Sequence, residues 1–186
     1  FSIRVVADLI NSQGYNLVKV WDPHSDVTTA LINNCEVVKA YIFARKVLDS
    51  YPGPMDNLVL VSPDAGANKK IFEAANYLRI NEVIRADKTR DVQTGALSGT
   101  EVYGDVRDKV CFILDDIGDG LGTFILLGKK LKEMGASKVI LYITHGIFSR
   151  GVDIMEGAVD EIYCPNVWEE NVKDRNTKGI LRRTLG

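Results

Sequence analysis

The chain has 186 residues, enough for one well-formed hydrophobic core or for one domain and part of a second. Its 23 basic and 25 acidic side chains nearly cancel, so the sequence lacks the broad positive charge of nucleic-acid-binding proteins. No apolar segment reaches the length of a membrane span, and three dispersed cysteines in apolar stretches are typical of reduced thiols, which together predict a soluble, cytoplasmic protein.

The first fifty residues predict a helix, a strand and a second helix. From residue 2 to Gly14, apolar residues recur every three or four positions, the spacing of a helix with one buried face. A short apolar run over 17–21 predicts a strand, and the next helical pattern covers about 36–50.

The sequence Tyr51-Pro52-Gly53-Pro54 interrupts this pattern and predicts a domain boundary. Residues 1–52 are then the end of a first domain, and 55–186 form a second. The elements predicted beyond the break are strands over 58–61, 82–85, 110–114 and 138–143, helices over 68–78 and 123–134, and a polar loop over 91–100. Strands without polar alternation, interleaved with helices, indicate an α/β fold with a parallel sheet covered on both faces. Ligands of such sheets bind at the carboxyl ends of the strands.

The densest group of polar residues follows the predicted strand 110–114. Asp115 and Asp116 come first, then a glycine-rich loop that leads into the helix near Thr123. Glycines and the free N–H groups of a first helical turn form a cradle for an anion. Two carboxylates would repel a phosphate, so this pair indicates neighbouring hydroxyls or a metal ion. For an isolated glycine pattern, a turn with Asp119 or Thr123 as the helix cap is the alternative.

The segment 114–123 resembles the phosphoribosyl diphosphate signature of type I phosphoribosyltransferases and ribose-phosphate pyrophosphokinases. The resemblance implies a phosphoribosyltransferase-type fold in which Asp115 and Asp116 bind the ribose hydroxyls. It also implies that the following loop binds the 5′-phosphate through Asp119, Gly120, Leu121, Gly122 and Thr123.

Three further segments resemble the pyrophosphokinases. Residues 61–67 resemble their SPDxGG segment, 87–90 their catalytic loop, and 22–24 their Asp-x-His segment. The implied catalytic cations are Lys88 and Arg90. The implied ATP and diphosphate ligands are His24, Asp64, Ala65 and Gly66, and the implied metal ligands are Asp22, His24 and Asp64. As an isolated pair, the two cations are more typical of solvated charges, and His24 alone is more typical of a surface histidine than of a ligand.

The resemblance implies a Mg²⁺-dependent enzyme. It would transfer the β,γ-diphosphate of ATP to the anomeric hydroxyl of a 5′-phosphorylated ribose and release AMP. The implied partners are ATP, a ribose phosphate and further copies of the chain. Family members are longer and have two similar domains, whereas His24 lies near the start of this sequence. We therefore expect much of the first domain to be missing.

Two residues of the phosphate loop depart from the family pattern. Gly120 replaces the usual threonine, and Leu121 replaces a small residue or cysteine. Gly120 removes one hydroxyl donor and makes a gap that Leu121 would line with apolar surface, which predicts room for a bulkier 5′-substituent, such as that of ADP-ribose. The alternative is that Gly120 is a neutral change and that backbone N–H groups suffice for the phosphate of ribose 5-phosphate. The alternatives are a type I phosphoribosyltransferase, which would need a base-recognition segment, and a regulatory subunit without turnover.

Overall fold

The computed structural model describes residues 3–51, 53–90 and 97–168, apart from the side chains of residues 90, 97 and 98. Two sheets are formed. A small parallel sheet pairs β1 (Val18–Trp21) with β2 (Cys35–Val38). The main sheet has seven strands: β3 (Leu58–Ser62), β4 (Val83–Arg90), β5 (Leu97–Tyr103), β6 (Val110–Gly118), β7 (Lys138–Gly146), β8 (Glu161–Tyr163) and β9 (Asn166–Val167).

The main sheet is parallel except at one edge. Its strand order is β5-β4-β3-β6-β7-β8, with β9 also paired to β7. The antiparallel edge is the pair β4 and β5, which extends β4 beyond its parallel pairing with β3. The central strands β3, β6 and β7 contain continuous apolar runs, over 58–61, 110–114 and 139–143, that are buried as expected for strands covered on both faces.

Helices cover both faces of the main sheet. The α-helices of the described residues are α1 (Ile3–Asn11), α2 (Asp26–Leu31), α3 (Ala40–Asp49), α4 (Asn68–Leu78) and α5 (Gly122–Glu133), of which α3, α4 and α5 pack on the main sheet. Successive residues of β3 point to opposite faces. Val59 and Val61 therefore join the core under α5, whereas Leu58 and Leu60 join the core under α3 and α4. The predicted parallel-sheet α/β fold is confirmed.

The small sheet packs with α1 and α2 at the amino-terminal end of the described chain. The Asn11 side chain joins these elements, since it donates to the Leu31 carbonyl oxygen and accepts from the Asn33 amide, each at 2.8 Å. Much of the apolar surface of α1 remains exposed, and the Leu9 side chain is 62% accessible to solvent.

Three predictions of secondary structure were wrong in part. Residues 36–38 belong to β2, so the helix predicted from residue 36 begins at Ala40. The short helix α2 was not predicted. Residues 97–100 of the predicted loop lie in β5, and 91–96 lie outside the described residues. The division near residue 52 stays a prediction, although α3 packs into the core of the main sheet.

The cysteines agree with the predicted reduced state. Cys35, Cys111 and Cys164 are all free thiols, and burial raises the pKa of Cys111 to about 12. Within the described ranges, none of the helices is long and apolar enough to cross a membrane.

Candidate functional site

The carboxyl ends of β3, β4 and β6 surround a cavity of about 710 Å³, which we call the acceptor cavity after the ligand predicted for its residues from the sequence. It brings together side chains that lie far apart in the sequence, as the parallel topology predicts. Its lining includes Asp64, Lys88, Asp115, Asp116 and the loop residues Asp119, Gly120, Leu121, Gly122 and Thr123. Most of the site residues predicted from the sequence therefore border one space.

The loop between β6 and α5 has the geometry of an anion cradle. Helix α5 begins at Gly122 and has no acidic residue in its first turn, all of which the structure describes. The first N–H groups of a helix have no partner within the helix, and the helix dipole adds partial positive charge there. Leu121 precedes the helix with φ of 60°, a left-handed conformation that costs energy for a residue with a branched side chain.

The Asp119 side chain makes a hydrogen bond within the protein. Its Oδ1 accepts a hydrogen bond of 3.2 Å from the Ser149 amide, and the Ile147 and Phe148 amides donate to the Gly118 carbonyl oxygen. These bonds tie the phosphate loop to the segment after β7. This contact accounts for an acid in a loop suited to anions, because one carboxylate oxygen already has a donor.

The interpretation of Leu121 as an apolar lining of the cavity is wrong. Its side chain is 3% exposed and packs in the core beneath α5. Gly120 fits the prediction of spare room, since no described atom lies within 4 Å of a Cβ built there.

Asp115 and Asp116 have opposite electrostatic environments. Burial and the neighbouring Asp116 and Asp64 carboxylates raise the pKa of Asp115 to about 7, although the Asp116 amide and Lys88 act against this. Burial would raise the pKa of Asp116 as well, but hydrogen bonds from Lys70 and His24 hold it below its usual value. At neutral pH Asp116 is thus a carboxylate, while Asp115 is close to its midpoint.

Asp64 and Lys88 form an ion pair across the same cavity. The Lys88 amine lies 2.6 Å from Asp64 Oδ2, and the Ala67 amide donates to Asp64 Oδ1 at 3.0 Å. Burial opposes ionisation, but the Lys88 contact lowers the pKa of Asp64 overall. Lys88 lies in β4 rather than in a loop. Arg90 ends the same strand, and its side chain is outside the described part.

A second cavity of about 720 Å³ borders the first. Asp22, His24, Gly66 and Lys70 line it, and the last three also line the acceptor cavity. Ala65 is exposed in the short 3₁₀ helix Ala65–Ala67 that separates β3 from α4. The two spaces therefore meet between the loop after β1 and the start of α4.

The loop after β1 is held to the main sheet by polar contacts. Asp22 is buried, and its Oδ2 accepts from the Thr144 hydroxyl at 2.9 Å. The His145 ring lies 2.9 Å from the Trp21 carbonyl oxygen, the backbone contact expected of a structural histidine at a strand end. His24 Nδ1 lies 2.9 Å from Asp116 Oδ2, while its side chain is 87% exposed.

Sequence reasoning missed Lys70. Its amine lies 3.0 Å from Asp116 Oδ2, 3.0 Å from the Pro23 carbonyl oxygen and 3.5 Å from Asp22 Oδ1. A lysine within a helical pattern is typical of a solvated charge, so Lys70 was not identified as a site residue. The available signal was its place in the first turn of α4, where the helix dipole disfavours a cation.

The predicted metal ligands Asp22, His24 and Asp64 do not form one donor set. In the described ranges, no three His, Cys, Asp or Glu side chains are arranged to hold a metal ion. Asp22 lines the second cavity and Asp64 the acceptor cavity. Mg²⁺ needs fewer protein ligands, since it often binds one or two carboxylates together with substrate phosphates and water. Asp64 fits that mode because its carboxylate borders the acceptor cavity.

Known proteins resemble the chain over most of its length. Residues 83–182 match the family described as phosphoribosyl synthetase-associated domain. A ribose-phosphate pyrophosphokinase of Shewanella oneidensis is 32% identical over 163 residues, which are 86% of this chain and 50% of that protein. A ribose-phosphate pyrophosphokinase of Mycoplasma pneumoniae is 34% identical over 171 residues, 88% of this chain and 51% of that protein. The chain thus spans about half the length of these curated relatives.

A solved structure has the same fold. Phosphoribosylpyrophosphate synthetase from Mycobacterium smegmatis superposes with a TM-score of 0.76 at 24% identity, over 97% of this chain and 58% of that chain. The phosphoribosyltransferase-type fold and the family resemblance seen in the sequence are confirmed. With more than half of its residues matched, the chain belongs to the phosphoribosyl synthetase-associated domain family.

Proposed function

We propose that the protein is a ribose-phosphate pyrophosphokinase, which transfers the β,γ-diphosphate of ATP to the anomeric hydroxyl of a 5′-phosphorylated ribose and releases AMP. The observation that carries the proposal is the acceptor cavity. It combines an anion cradle, two carboxylates suited to hydroxyls, and the Asp64 and Lys88 pair. The names of the relatives support the same reaction.

The acceptor would bind along the end of β6. Its 5′-phosphate would accept hydrogen bonds from the first N–H groups of α5, which the dipole of the helix favours. The ribose hydroxyls would donate to Asp116 and Asp115, which follow the buried part of the same strand. A sugar fixed at both ends presents its anomeric hydroxyl in one orientation, which lowers the entropic part of the barrier.

Diphosphoryl transfer then needs mainly positioning and neutralisation of charge. The anomeric oxygen would bond to the β-phosphorus and release its proton to solvent. The bond from that phosphorus to the α,β-bridging oxygen breaks, its electron pair stays on the bridging oxygen, and AMP leaves. Lys88 lies where a cation can stabilise charge on the transferring oxygens, and Arg90 is proposed to act beside it.

Mg²⁺ is the proposed cofactor, with Asp64 as the protein ligand that fits best. The ion would neutralise the phosphate oxygens of ATP. Lys88 already contacts the same carboxylate, so Asp64 would be shared between the amine and the ion. His24 and Asp22 are proposed to contact the nucleotide from the second cavity.

The decisive experiment uses the full-length protein with ATP, Mg²⁺ and a panel of ribose 5-phosphate, ADP-ribose and ribose. We expect AMP and the matching diphosphorylated sugar in equal amounts, detected by chromatography and mass spectrometry. Release of ADP instead of AMP would contradict diphosphoryl transfer. A regulatory subunit would yield neither product, and a phosphoribosyltransferase would consume the sugar diphosphate when given a nucleobase.

For the acceptor, the space at Gly120 favours a 5′-substituent larger than phosphate, so ADP-ribose is proposed as an acceptor beside ribose 5-phosphate. The variant Gly120→Thr tests this point, because the added side chain meets open space and should not disturb the fold. We expect it to lower kcat/KM for ADP-ribose more than for ribose 5-phosphate. An unchanged ratio would leave ribose 5-phosphate as the proposed acceptor.

Self-association is also proposed, as in the prediction from the sequence. The exposed apolar residues of α1, among them Ile3, Val6 and Leu9, form the kind of surface that proteins cover in assemblies. Light scattering of the full-length protein measures the oligomer directly, and a monomer at micromolar concentration would exclude it.

A further inference from the structure

Lys70 occupies an electrostatically unusual position. It lies in the first turn of α4, where the partial positive charge of the helix end disfavours a cation. Its amine is nevertheless well compensated, because Asp116 and Asp22 lie 3.0 Å and 3.5 Å away. Although burial acts against the charged amine, these carboxylates raise the pKa of Lys70. The position is therefore built for a charged lysine.

The Lys70 amine joins three segments of the chain. Besides α4, it contacts Asp116 at the end of β6 and donates at 3.0 Å to the Pro23 carbonyl oxygen in the loop after β1. Residues 22 and 116 are 94 positions apart in sequence. Lys70 also lines both the acceptor cavity and the second cavity. One amine thus lies where the two proposed ligand spaces meet.

The contacts to Asp116 are made on one side of its carboxylate. Lys70 Nζ lies 3.0 Å and His24 Nδ1 lies 2.9 Å from the same oxygen, Oδ2. Two donors on one oxygen fix the rotation of the carboxylate and favour its ionised form. A carboxylate held through Oδ2 keeps Oδ1 for a ligand hydroxyl in a set orientation.

We propose that Lys70 is a positioning residue that sets the Asp116 carboxylate for the ribose hydroxyls and couples acceptor binding to the loop 22–24. This role rests on the proposed function, because it assumes that Asp116 binds an acceptor. Its effect is transmitted through Asp116 on one side and through the Pro23 carbonyl on the other. Lys70 itself need not contact the sugar.

The first test is calorimetric binding of ribose 5-phosphate to the full-length protein, without turnover. Lys70→Met keeps the aliphatic stem and removes the charge, so we expect affinity to fall about tenfold or more. Lys70→Arg restores a cation and should remain within about threefold of the natural protein. Lys132→Met is the matched control. Lys132 lies on α5, its side chain is similarly exposed, and its amine pairs with Asp160 at 2.7 Å.

A double-mutant cycle separates positioning from a general structural effect. If Lys70 acts through Asp116, the double variant Lys70→Met with Asp116→Asn should bind ribose 5-phosphate no more weakly than Asp116→Asn alone. A non-hydrolysable ATP analogue should strengthen acceptor binding in the natural protein and do so less in Lys70→Met. Thermal unfolding of each variant shows whether the fold is kept.

The outcomes are distinct. Unchanged acceptor affinity in folded Lys70→Met, or losses that add fully in the double variant, would overturn the role of Lys70 while leaving the proposed function in place. Failure of Lys70→Arg to recover affinity, with the fold intact, would also count against it. Absence of ribose 5-phosphate binding by the natural protein would overturn the proposed function itself, and this role with it.

Discussion

The two sheets of this protein differ in how far they bury their apolar residues. In the main sheet every residue of β3 is buried, and separate cores lie on both faces. In the small sheet no residue of β1 or β2 is buried, and Ala7 is the one buried residue of α1 over Ile3–Asn11. Since apolar burial supplies most of the folding free energy, the main sheet carries the stability of the chain.

The two sheets also supply different parts of the candidate site. The main sheet supplies Asp64, Lys88 and the phosphate loop, whereas the small sheet supplies the loop with Asp22 and His24. Polar contacts of Thr144 and Lys70 join the two halves, and the Trp21 ring of β1 packs against Phe43 on α3. A well-packed sheet thus positions the proposed chemistry, and a lightly packed one borders it.

The largest expected effect is on stability. Phe112 is fully buried at the centre of β6, near Tyr142, so Phe112→Ala should lower the free energy of unfolding by about 3 to 5 kcal/mol. Leu9→Ala on exposed α1 should change it by less than about 0.5 kcal/mol. Urea denaturation compares the two variants. Equal losses would show that the small sheet is as strongly packed as the main one.

A second prediction concerns the pH dependence of stability. The pKa of Asp115 is raised to about 7, so the folded state holds this proton more tightly than the unfolded state, and stability falls as pH rises from about 4 to about 7. The lowered pKa values of Asp64 and Asp116 act in the opposite sense, and their contribution is lost only as pH falls through the acid range.

Asp115→Asn removes the titrating group and can still accept the hydrogen bond from the Asp116 amide. We expect the variant to match the natural protein near pH 4 and to exceed its stability by about 2 to 4 kcal/mol near pH 8. Denaturation without ligand or metal, repeated across pH, measures the difference. Parallel curves for the two proteins would show that Asp115 has an ordinary pKa.

The third prediction compares the two halves of the site. Lys88→Met should lower kcat about a hundredfold, roughly 2.7 kcal/mol, with little change in KM for ATP, because a cation at transferring oxygens acts mainly in the transition state. His24→Ala should cost less, about tenfold, since that side chain is largely exposed.

Lys109→Met serves as the control for Lys88, because its amine pairs with Glu82 at 2.7 Å and is comparably exposed, yet it lies outside both cavities. Steady-state assays of AMP release compare the three variants. A rise in KM for ATP with unchanged kcat in Lys88→Met would assign Lys88 to ground-state binding instead.

The central strands of the main sheet and β1 of the small sheet were predicted from sequence, whereas β2 and the strands β5, β8 and β9 were not. Continuous apolar runs identify β3 and β7, and α4 was predicted with its observed ends because its period is clear. The strand over 35–38 was not predicted, because a parallel strand depends on a partner that is not adjacent in sequence, here β1. The edge strand β5 was not predicted, because its composition resembles that of a loop.

The same distinction holds in the site. Asp115 and Asp116 follow the buried part of β6, and Asp64 lies two residues beyond β3, so their position at the sheet edge could be inferred locally. The partners of Lys70 could not, because Asp116 and the Pro23 carbonyl reach it only through the packing of three segments. Leu121 was misjudged since its left-handed backbone, which turns the side chain into the core, has no signal in its residue type.

The smallest expected effect is local and concerns the small sheet. Asn11→Ala removes both side-chain bonds that link α1 to the segment after α2, and because these groups are near the surface, water replaces part of the loss. We expect a cost of about 1 kcal/mol, seen as faster hydrogen exchange of the β1 and β2 amides but not of the β3 and β6 amides. Ser12→Ala is the control, since its hydroxyl bonds to the Leu9 carbonyl oxygen and the Gln13 side chain, both close in sequence, and its loss should alter exchange little. Faster exchange throughout the main sheet in Asn11→Ala would mean that the two sheets unfold as one unit, and the difference in packing between them would then have no counterpart in stability.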